Sequence, residues 1–471
     1  MKPLISGGER IRREVMIRII RDFTAGKLAE TIDALPLAIR PKSMLSPRCC
    51  IYHDRAILKY RVMALLGFSY EDETDENRPL RSYLEEALAG DSVPEFPLTV
   101  CGAACFGCVD NGYEVTSACR GCSDRPCVYA CPADAISTPR RFAEIDYSKC
   151  IQCGRCRKAC PFSAVIKTAV PCEDACPVGA IRKNKNGVAA INHKTCMFCG
   201  NCFRKCPFST IMERSQLIKI LQKIAEGKKV IALVAPAAEA QFPGTVEQLF
   251  SAIHKTGFAD ILEVALGAEL TAEHEAKEFQ ERMLAGEKIM SSSCCTPVVE
   301  IVKRHAPQFH KHVSTTPSPM IFAGRLAREK HPDGVNVFIG PCIAKRYEAL
   351  AAAEIDHVMT FEELGVLLAG KHVDILLQEP WPIPRPAAAT ARSFARTCGV
   401  TEAVLHEMET KPEFQEIGFR LDSRYLDGID RKTPGVLKRY AQGKLPGNFL
   451  EVMSCQGGCV NGPCSLVEES L

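Results

Sequence analysis

Apolar residues recur every four positions in the stretch 10–23, at Ile11, Val15, Ile19 and Phe23, beside basic positions. That spacing predicts an amphipathic helix whose basic face is expected to be solvated. Ser215-Gln-Leu-Ile-Lys-Ile-Leu-Gln-Lys-Ile-Ala-Glu-Gly-Lys-Lys predicts another helix, and beyond it short apolar runs alternate with helical stretches. The runs are Val230-Ile-Ala-Leu-Val-Ala-Pro, Val335-Asn-Val-Phe-Ile-Gly-Pro and Val373-Asp-Ile-Leu-Leu-Gln-Glu-Pro. Buried parallel strands with helical crossovers fit this alternation, so residues 214–471 read as α/β. Ligands bind at the carboxyl ends of such strands. Two of the runs lead straight into Ala235-Pro236 and Pro341-Cys342.

At 471 residues the chain should hold about three domains, at roughly 150 residues each. The 46% hydrophobic fraction and the lack of any membrane-length apolar run predict a globular chain with no membrane span. The first residues lack the apolar core of a signal peptide, which predicts a cytoplasmic location. With 59 basic and 56 acidic residues, bulk charge gives no argument for nucleic acid or an anionic membrane.

Cysteine changes the picture. There are 26, and 17 of them lie between Cys101 and Cys206. In a reducing compartment so many thiols favour metal ligation over disulfides, and they suggest a low-oxygen habitat. Cys49 and Cys50, in Arg48-Cys-Cys-Ile-Tyr, are expected to be buried structural cysteines, and Cys398 and Cys464 spare core thiols.

Four runs follow one another: Cys119-x2-Cys122-x4-Cys127-x3-Cys131-Pro132, Cys150-x2-Cys153-x2-Cys156-x3-Cys160-Pro161, Cys172-x3-Cys176-Pro177 and Cys196-x2-Cys199-x2-Cys202-x3-Cys206-Pro207. The second and fourth match the bacterial ferredoxin pattern, in which three close thiolates hold one cubane and the fourth reaches its neighbour. A zinc ribbon would need two separated Cys-x2-Cys pairs instead. The same rule puts Cys119, Cys122 and Cys127 with Cys160, and Cys150, Cys153 and Cys156 with Cys131. Cys196, Cys199 and Cys202 take Cys176, which leaves Cys172 and Cys206 needing two more thiolates. Cys101-x3-Cys105-x2-Cys108 could provide them, and the expected pair is Cys105 and Cys108. That triplet also has radical-SAM spacing, but a ferredoxin array follows where such an enzyme would continue its own barrel. Three to four accessory [4Fe–4S] clusters are therefore expected, forming a wire for single electrons.

Three further segments lie far apart: Ser292-Ser-Cys-Cys-Thr296, Pro341-Cys342-Ile-Ala-Lys345-Arg-Tyr-Glu348 and Glu451-Val-Met453-Ser-Cys455-Gln-Gly-Gly-Cys459. None can hold a cluster alone, yet four of their thiolates converging would hold one cubane. In order and content they resemble the signature segments of [FeFe]-hydrogenases, and the likeness spans about residues 98–471. The resemblance implies a multidomain α+β architecture: a mainly helical extension at 1–97, a ferredoxin-like multi-[4Fe–4S] region at 98–213, and an α/β H-cluster catalytic domain with two parallel-sheet lobes at 214–471. It implies that Cys295, Cys342, Cys455 and Cys459 ligate the cubane of an H-cluster, with Cys459 bridging to a two-iron subsite carrying CO, cyanide and azadithiolate. Lys345 would donate to one cyanide, the Ala235-Pro236 loop would cradle the other, and Met453 would pack beside the subsite.

By the same resemblance Cys294 is a proton-relay thiol, and an ordinary thiol pKa near 8 would suit that task. Glu275, Glu278 and Arg282 share one helix face by spacing. The resemblance aligns them, with Ser314, to a path whose expected order runs inward from Arg282 and Glu275 through Ser314 and Glu278 to Cys294. Departures from the family pattern are Thr296 in place of proline, Val298 where an aromatic is common, and Val460-Asn-Gly-Pro-Cys464 after Cys459. Gly340 stands in place of methionine and is expected to leave more room near the subsite. The implied activity is reversible reduction of protons to H₂, with a ferredoxin or flavodoxin-like carrier as electron partner and separate maturation proteins loading the subsite. The competing readings are a non-catalytic iron–sulfur assembly protein and an H₂ sensor. Cys294, Lys345 and both relay glutamates favour the enzyme, because an assembly factor needs no proton path. A simple electron carrier would leave residues 214–471 unexplained.

Overall fold

The computed structural model describes residues 6–46, 49–90, 93–108, 110–415 and 420–467. The first helix, Gly7–Thr24, starts at a capping box in which Ser6 accepts the Glu9 N–H and the Glu9 carboxylate accepts the Ser6 N–H. It buries Val15, Met16, Ile19 and Ile20 against the helix Phe361–Gly370 of the catalytic part. The expected solvated basic face is therefore corrected in part. Arg12 and Arg13 both pair with Glu362, at 2.7 and 2.9 Å, and Arg12 also lies over the Phe203 ring. Leu28, Ile32 and Leu84 join the same core, so the N-terminal helices and the α/β part are packed as one body.

That α/β part has two parallel sheets. The larger runs Asp260–Glu263, Val230–Val234, Val335–Gly340, His357–Thr360 in spatial order, all parallel. Val230–Val234 is central and wholly buried, which is why it is an unbroken aliphatic run. The smaller sheet runs Met290–Ser291, Phe449–Met453, Ser423–Asp427, again parallel. The expected strand at Val373-Asp-Ile-Leu-Leu is not formed. Asp374 accepts the Leu376 N–H and closes a short 3-10 turn, Ile375–Leu377, which leaves Leu376 and Leu377 exposed.

Cys49 and Cys50 are also corrected, because both are exposed at the start of the helix Ile51–Leu65. Cys50 occupies the N-cap, where its sulfur accepts the His53 N–H, and Cys49 Sγ lies 3.0 Å from His53 Nδ1. Cys464 is buried as expected, 3.7 Å from Glu213 Oε2. Cys398 is only half-buried, and its N–H donates to Glu451.

The iron–sulfur region is nested. Leu98–Val100 pairs antiparallel with Ile211–Glu213, and Ile181–Lys183 with Ala189–Ile191, to form an outer module. Inside it, Gly112–Val115 pairs antiparallel with Val165–Thr168, so the segment between them leaves and returns at one place. Asn111 Oδ1 accepting the Val170 N–H and Thr168 Oγ1 donating to the Asp110 carbonyl tie that neck. The outer module is fixed to the larger sheet by Arg346, which donates to Glu213 at 3.1 Å and to Glu363 at 2.6 Å with all three side chains at most 1% exposed.

Candidate cluster and active site

Each run of cysteines folds by one local rule. The residue before the second cysteine takes a left-handed conformation, at Gly107, Gly121, Gln152 and Phe198. The third residue after each Cys-Pro cysteine does the same, at Asp134, Ser163, Gly179 and Ser209. These reversals curl the backbone so that N–H groups face sulfur. Cys131, Cys160, Cys176 and Cys206 each accept the N–H four residues on, at 3.2 to 3.5 Å. Such bonds favour thiolate over thiol, and N–H groups of Ala143 and Gly121 lower the Cys119 pKa in this way.

The sulfur groupings follow. Cys119, Cys122, Cys127 and Cys160 wall one small cavity. Cys156 neighbours Cys150 and Cys153. Cys131 packs in the same core as Cys156. Burial, and then the charges of Cys206, Cys105 and Cys108, push the Cys172 thiol up to about 12, so these four thiols form a group. Cys101 is not in it and lies in a separate core with Ile57, Ala64 and Met212. Burial followed by Cys199, Cys196, Cys176 and Cys172 raises Cys202, which defines a further group and sets it beside Cys172. Among the described residues no three donors converge tightly enough for a single ion. A tetrahedral ion with sulfur at about 2.3 Å would need a tighter set, whereas a four-iron cubane bridges a wider one.

Cys105-x2-Cys108 before the inserted module and Cys172-x3-Cys176-Pro177 after it together have the spacing of one ferredoxin motif. Anaerobic reconstitution of Cys105→Ser should lose about four iron atoms per chain. An unchanged iron content would place Cys105 outside the ligand set.

The three dispersed segments meet at the carboxyl ends of parallel strands. Cys294 and Cys295 follow Met290–Ser291, Cys342 follows Val335–Gly340, and Cys455 and Cys459 follow Phe449–Met453. Cys455 is raised by burial and then by Cys342, Cys459, Cys295 and Cys199, so this fifth group abuts the group containing Cys199. Burial with its neighbour Cys342 pushes Cys295 up to about 11. In the metal-free protein these are thiols at neutral pH, and ligation must release their protons.

Beside this group lies a cavity of ≈ 80 Å³ walled by Ala235, Pro236, Cys294, Lys345, Met453 and Cys459, among others. Ala235 already donates its N–H to the Ile339 carbonyl, and Pro236 has none to give. Sequence reasoning missed Phe338 and Phe394, which also form the wall. Phe338 corrects the expected extra room. A Cβ on Gly340 would stand 2.6 Å from the Phe338 ring and 3.3 Å from Ala235 Cβ, so that space is filled. The alternation of a strand, which puts residues 338 and 340 on one face, was the available signal.

Lys345 Nζ donates to Glu348 at 2.6 Å and to Ser318 and the Cys294 carbonyl at 3.2 Å each. Burial works against the ammonium, yet Glu348 carries its pKa above the ordinary value. Lys345, which walls the cavity, and Glu348 are 12% and 19% exposed. Thr296, out of the family pattern, donates its hydroxyl to the same Glu348 carboxylate. Glu451 is held by the N–H groups of Cys398 and Thr401 at the start of the helix Gly399–Thr410.

A line of acids leads outward along the helix Val264–Leu284, and its order corrects the expected one. Arg282 is outermost and bonds Glu278 at 2.6 Å. Glu278 accepts Ser314 at 2.7 Å and Thr316 at 2.9 Å, and these bonds with Arg282 lower its pKa despite burial. Glu275 is fully buried, accepts the Ser293 N–H at 3.1 Å and has Oε2 unpartnered. Burial, with the charges of Glu278 and Glu451, pushes Glu275 up to about 8 although Ser293 and Ser314 oppose it. Helix direction gives the order Arg282, Glu278, Glu275, with Ser314 bonded to Glu278 and Cys294 beside Glu275. Val264 and Ala268 line the cavity, so Glu275 is nearer to it than Glu278 by about 4.5 Å of helix rise. The expected thiol pKa near 8 is likewise not met, because burial and the Glu275 charge push Cys294 well up.

With this geometry in view, the chain belongs to the iron-only hydrogenase large-subunit family: the C-terminal domain of that family matches residues 228–463, half of the chain. A 4Fe-4S binding domain matches 143–166, and an LdpA Fe-S cluster-binding domain matches 167–217. The periplasmic [Fe] hydrogenase large subunit of Nitratidesulfovibrio vulgaris is 30% identical over 374 residues, covering 68% of this chain and 85% of that protein. Iron hydrogenase 1 of Clostridium pasteurianum is 26% identical, covering 68% of this chain and 64% of that protein. A cytosolic iron-sulfur assembly component 3 from Pongo abelii is 23% identical over 296 residues, covering 50% of this chain and 62% of that protein. No described helix is long and apolar enough to cross a membrane.

Proposed function

We propose that this chain catalyses 2 H⁺ + 2 e⁻ ⇌ H₂, exchanging electrons with a ferredoxin or flavodoxin-like carrier through four accessory clusters. The observation that carries the reading is the meeting, at one largely apolar cavity, of a four-cysteine ligand set, a spare thiol and a buried line of acids from the surface. The donor set fits an H-cluster: Cys295, Cys342, Cys455 and Cys459 would hold its cubane, and the cavity beside Cys459 would take the two-iron part. When bound, that group supplies open metal coordination at which protons and electrons combine. Lys345, kept cationic by Glu348, supplies donors for an anionic ligand. Glu348 is in turn oriented by Thr296 and Ser318.

The protein's own chemistry is proton movement. Glu278 stays ionised beside Arg282, Ser314 Oγ donates to it and lies near Glu275, and Glu275 holds a proton near neutrality beside the Cys294 thiol. A carboxyl group poised near the working pH both gives and takes a proton. Cys199 beside Cys342 and Cys455 supplies the contact through which electrons reach the site.

The iron–sulfur assembly relative supports a second reading in which the clusters are structural. The proton line of Cys294, Glu275, Ser314 and Glu278 has no use in that role. Infrared spectra of the anaerobically matured protein decide between them. The hydrogenase reading expects CO and cyanide stretches, and a matured protein that lacks both removes it.

A further inference from the structure

We propose that Cys49 and His53 form a second reactive site, a nucleophilic thiol with its own base, which captures small carboxylate-bearing disulfides in the cavity beside it. The proposal stands apart from the hydrogen chemistry and does not rest on it.

The geometry is that of an activated thiol. Cys49 Sγ lies 3.0 Å from His53 Nδ1, and His53 Nε2 lies 2.8 Å from the Ala103 carbonyl oxygen. A carbonyl only accepts, so Nε2 carries the hydrogen and the neutral ring turns its Nδ1 lone pair to the thiol. Nucleophile, base and a third group that orients the base are thus in line. The arrangement is set locally. Cys50 caps the helix Ile51–Leu65, and His53, at the third helical position, reaches back to the residue before the cap. The His53 ring also packs at 5.9 Å against Phe106, so the segment 103–106 holds the base at two points.

The cavity defines the partner. It measures ≈ 460 Å³, within the span of about 300–1,000 Å³ usual for small-molecule sites, and Cys49 rather than Cys50 is on its wall. Ile57, Leu58, Phe106 and Phe208 give it apolar sides. Arg40 and Arg61, 9% and 7% exposed, also line it, against one carboxylate, Asp54. Arg40 Nε is 4.0 Å from Asp54, while Arg61 donates to the carbonyls of Gly8 and Ser209. Two guanidinium groups facing one carboxylate leave the wall with net positive charge. An apolar, cationic cavity beside a thiol fits a small disulfide with acidic ends.

The step is thiol–disulfide exchange, Cys49–SH + R–S–S–R → Cys49–S–S–R + R–SH. His53 Nδ1 takes the thiol proton, Cys49 Sγ bonds one sulfur of the disulfide, and the S–S bond breaks. The departing thiolate takes the proton back from His53. Cys49 is oxidised and the departing sulfur reduced, so the disulfide is the oxidant. Cys50 is the competing nucleophile, since its sulfur accepts the His53 N–H and that bond lowers its pKa.

The test uses the full-length, cluster-loaded protein under anaerobic conditions with one equivalent of dithiobis(nitrobenzoate), a disulfide carrying two carboxylates. Release of the coloured thiolate gives the rate, and peptide mass spectrometry gives the site. The adduct should form on Cys49 and be absent in Cys49→Ser. At neutral pH His53→Ala should slow the reaction by about 10²-fold, the low end of what a positioned base supplies. At alkaline pH, where hydroxide ionises the thiol without help, that gap should close, which a misfolded variant would not show. The rate relative to cystamine, a disulfide with ammonium ends, should fall about tenfold in Arg40→Gln and hold in Arg40→Lys, the scale of electrostatic attraction. An adduct on Cys50 in place of Cys49 overturns the site, as does a His53→Ala rate equal to the parent at neutral pH. A gap that persists at alkaline pH overturns the role of His53 as base. An unchanged ratio in Arg40→Gln overturns the choice of acidic disulfides.

Discussion

Cys294→Ala is expected to slow H₂ evolution by about 10²–10⁴-fold, the range that one positioned acid–base group supplies. Cys294 is beside Cys295 and Cys459, and Glu275 is its neighbour on the side leading outward. It is not needed for the four-thiol set of Cys295, Cys342, Cys455 and Cys459. Iron content and the infrared bands should therefore persist while turnover collapses. Turnover within a few-fold of the parent, with the bands intact, would exclude Cys294 as the proton carrier. Cys294→Ser separates position from acidity, because a hydroxyl occupies the same place with far less tendency to ionise.

Glu275→Gln is expected to act in opposite directions on activity and stability. Activity should fall by about 10²-fold or more, since an amide cannot pass a proton. Stability of the metal-free protein should rise with pH relative to the parent. The Glu275 carboxyl is at about 8 in the folded chain against an ordinary 4.5, owing first to burial. Between those values the unfolded chain has lost this proton while the folded chain keeps it, so the parent loses stability as pH climbs from 4.5 to 8 and no further above that. The span corresponds to several kcal/mol, at about 1.4 kcal/mol per unit. Glutamine carries no such dependence. Thermal unfolding should find the two proteins alike near pH 4.5 and the variant more stable at pH 8. A difference that does not grow across that window would mean that Glu275 is not held protonated.

The candidate site could be read in the sequence wherever chemistry depends on spacing. Cys-x2-Cys-x2-Cys-x3-Cys-Pro states its own fold, because the left-handed turns at Gln152, Ser163, Phe198 and Ser209 are local events. Counting unpaired thiols pointed to Cys105 and Cys108 for Cys172 and Cys206, and the structure sets these four thiols near one another. What the sequence withheld depends on direction and on distant partners. Spacing put Glu275 and Glu278 on one helix face but not which end of that helix meets the cavity, and the expected order was inverted for that reason. Arg12 and Arg13 looked solvated because their partner, Glu362, is some 350 residues away. Val373-Asp-Ile-Leu-Leu has the composition of a strand, but the sheet already ends at His357–Thr360 and Asp374 closes a turn instead. Gly340 suggested empty space because the ring filling it belongs to Phe338, two residues earlier.

The nesting of one module inside another also sets an order of assembly. A chain emerging from the ribosome delivers Cys105 and Cys108 first, then all eight thiols from Cys119 to Cys160, and only afterwards Cys172 and Cys206. Domains fold as units in the order they are made, at about 5–20 residues per second. The inserted module can thus close and take its iron while Cys105 and Cys108 are still without partners. Its closure at Gly112–Val115 and Val165–Thr168 then brings Cys108 and Cys172 together. The inner module is completed before the outer one, and its folding is the splint that joins the outer module's two ends.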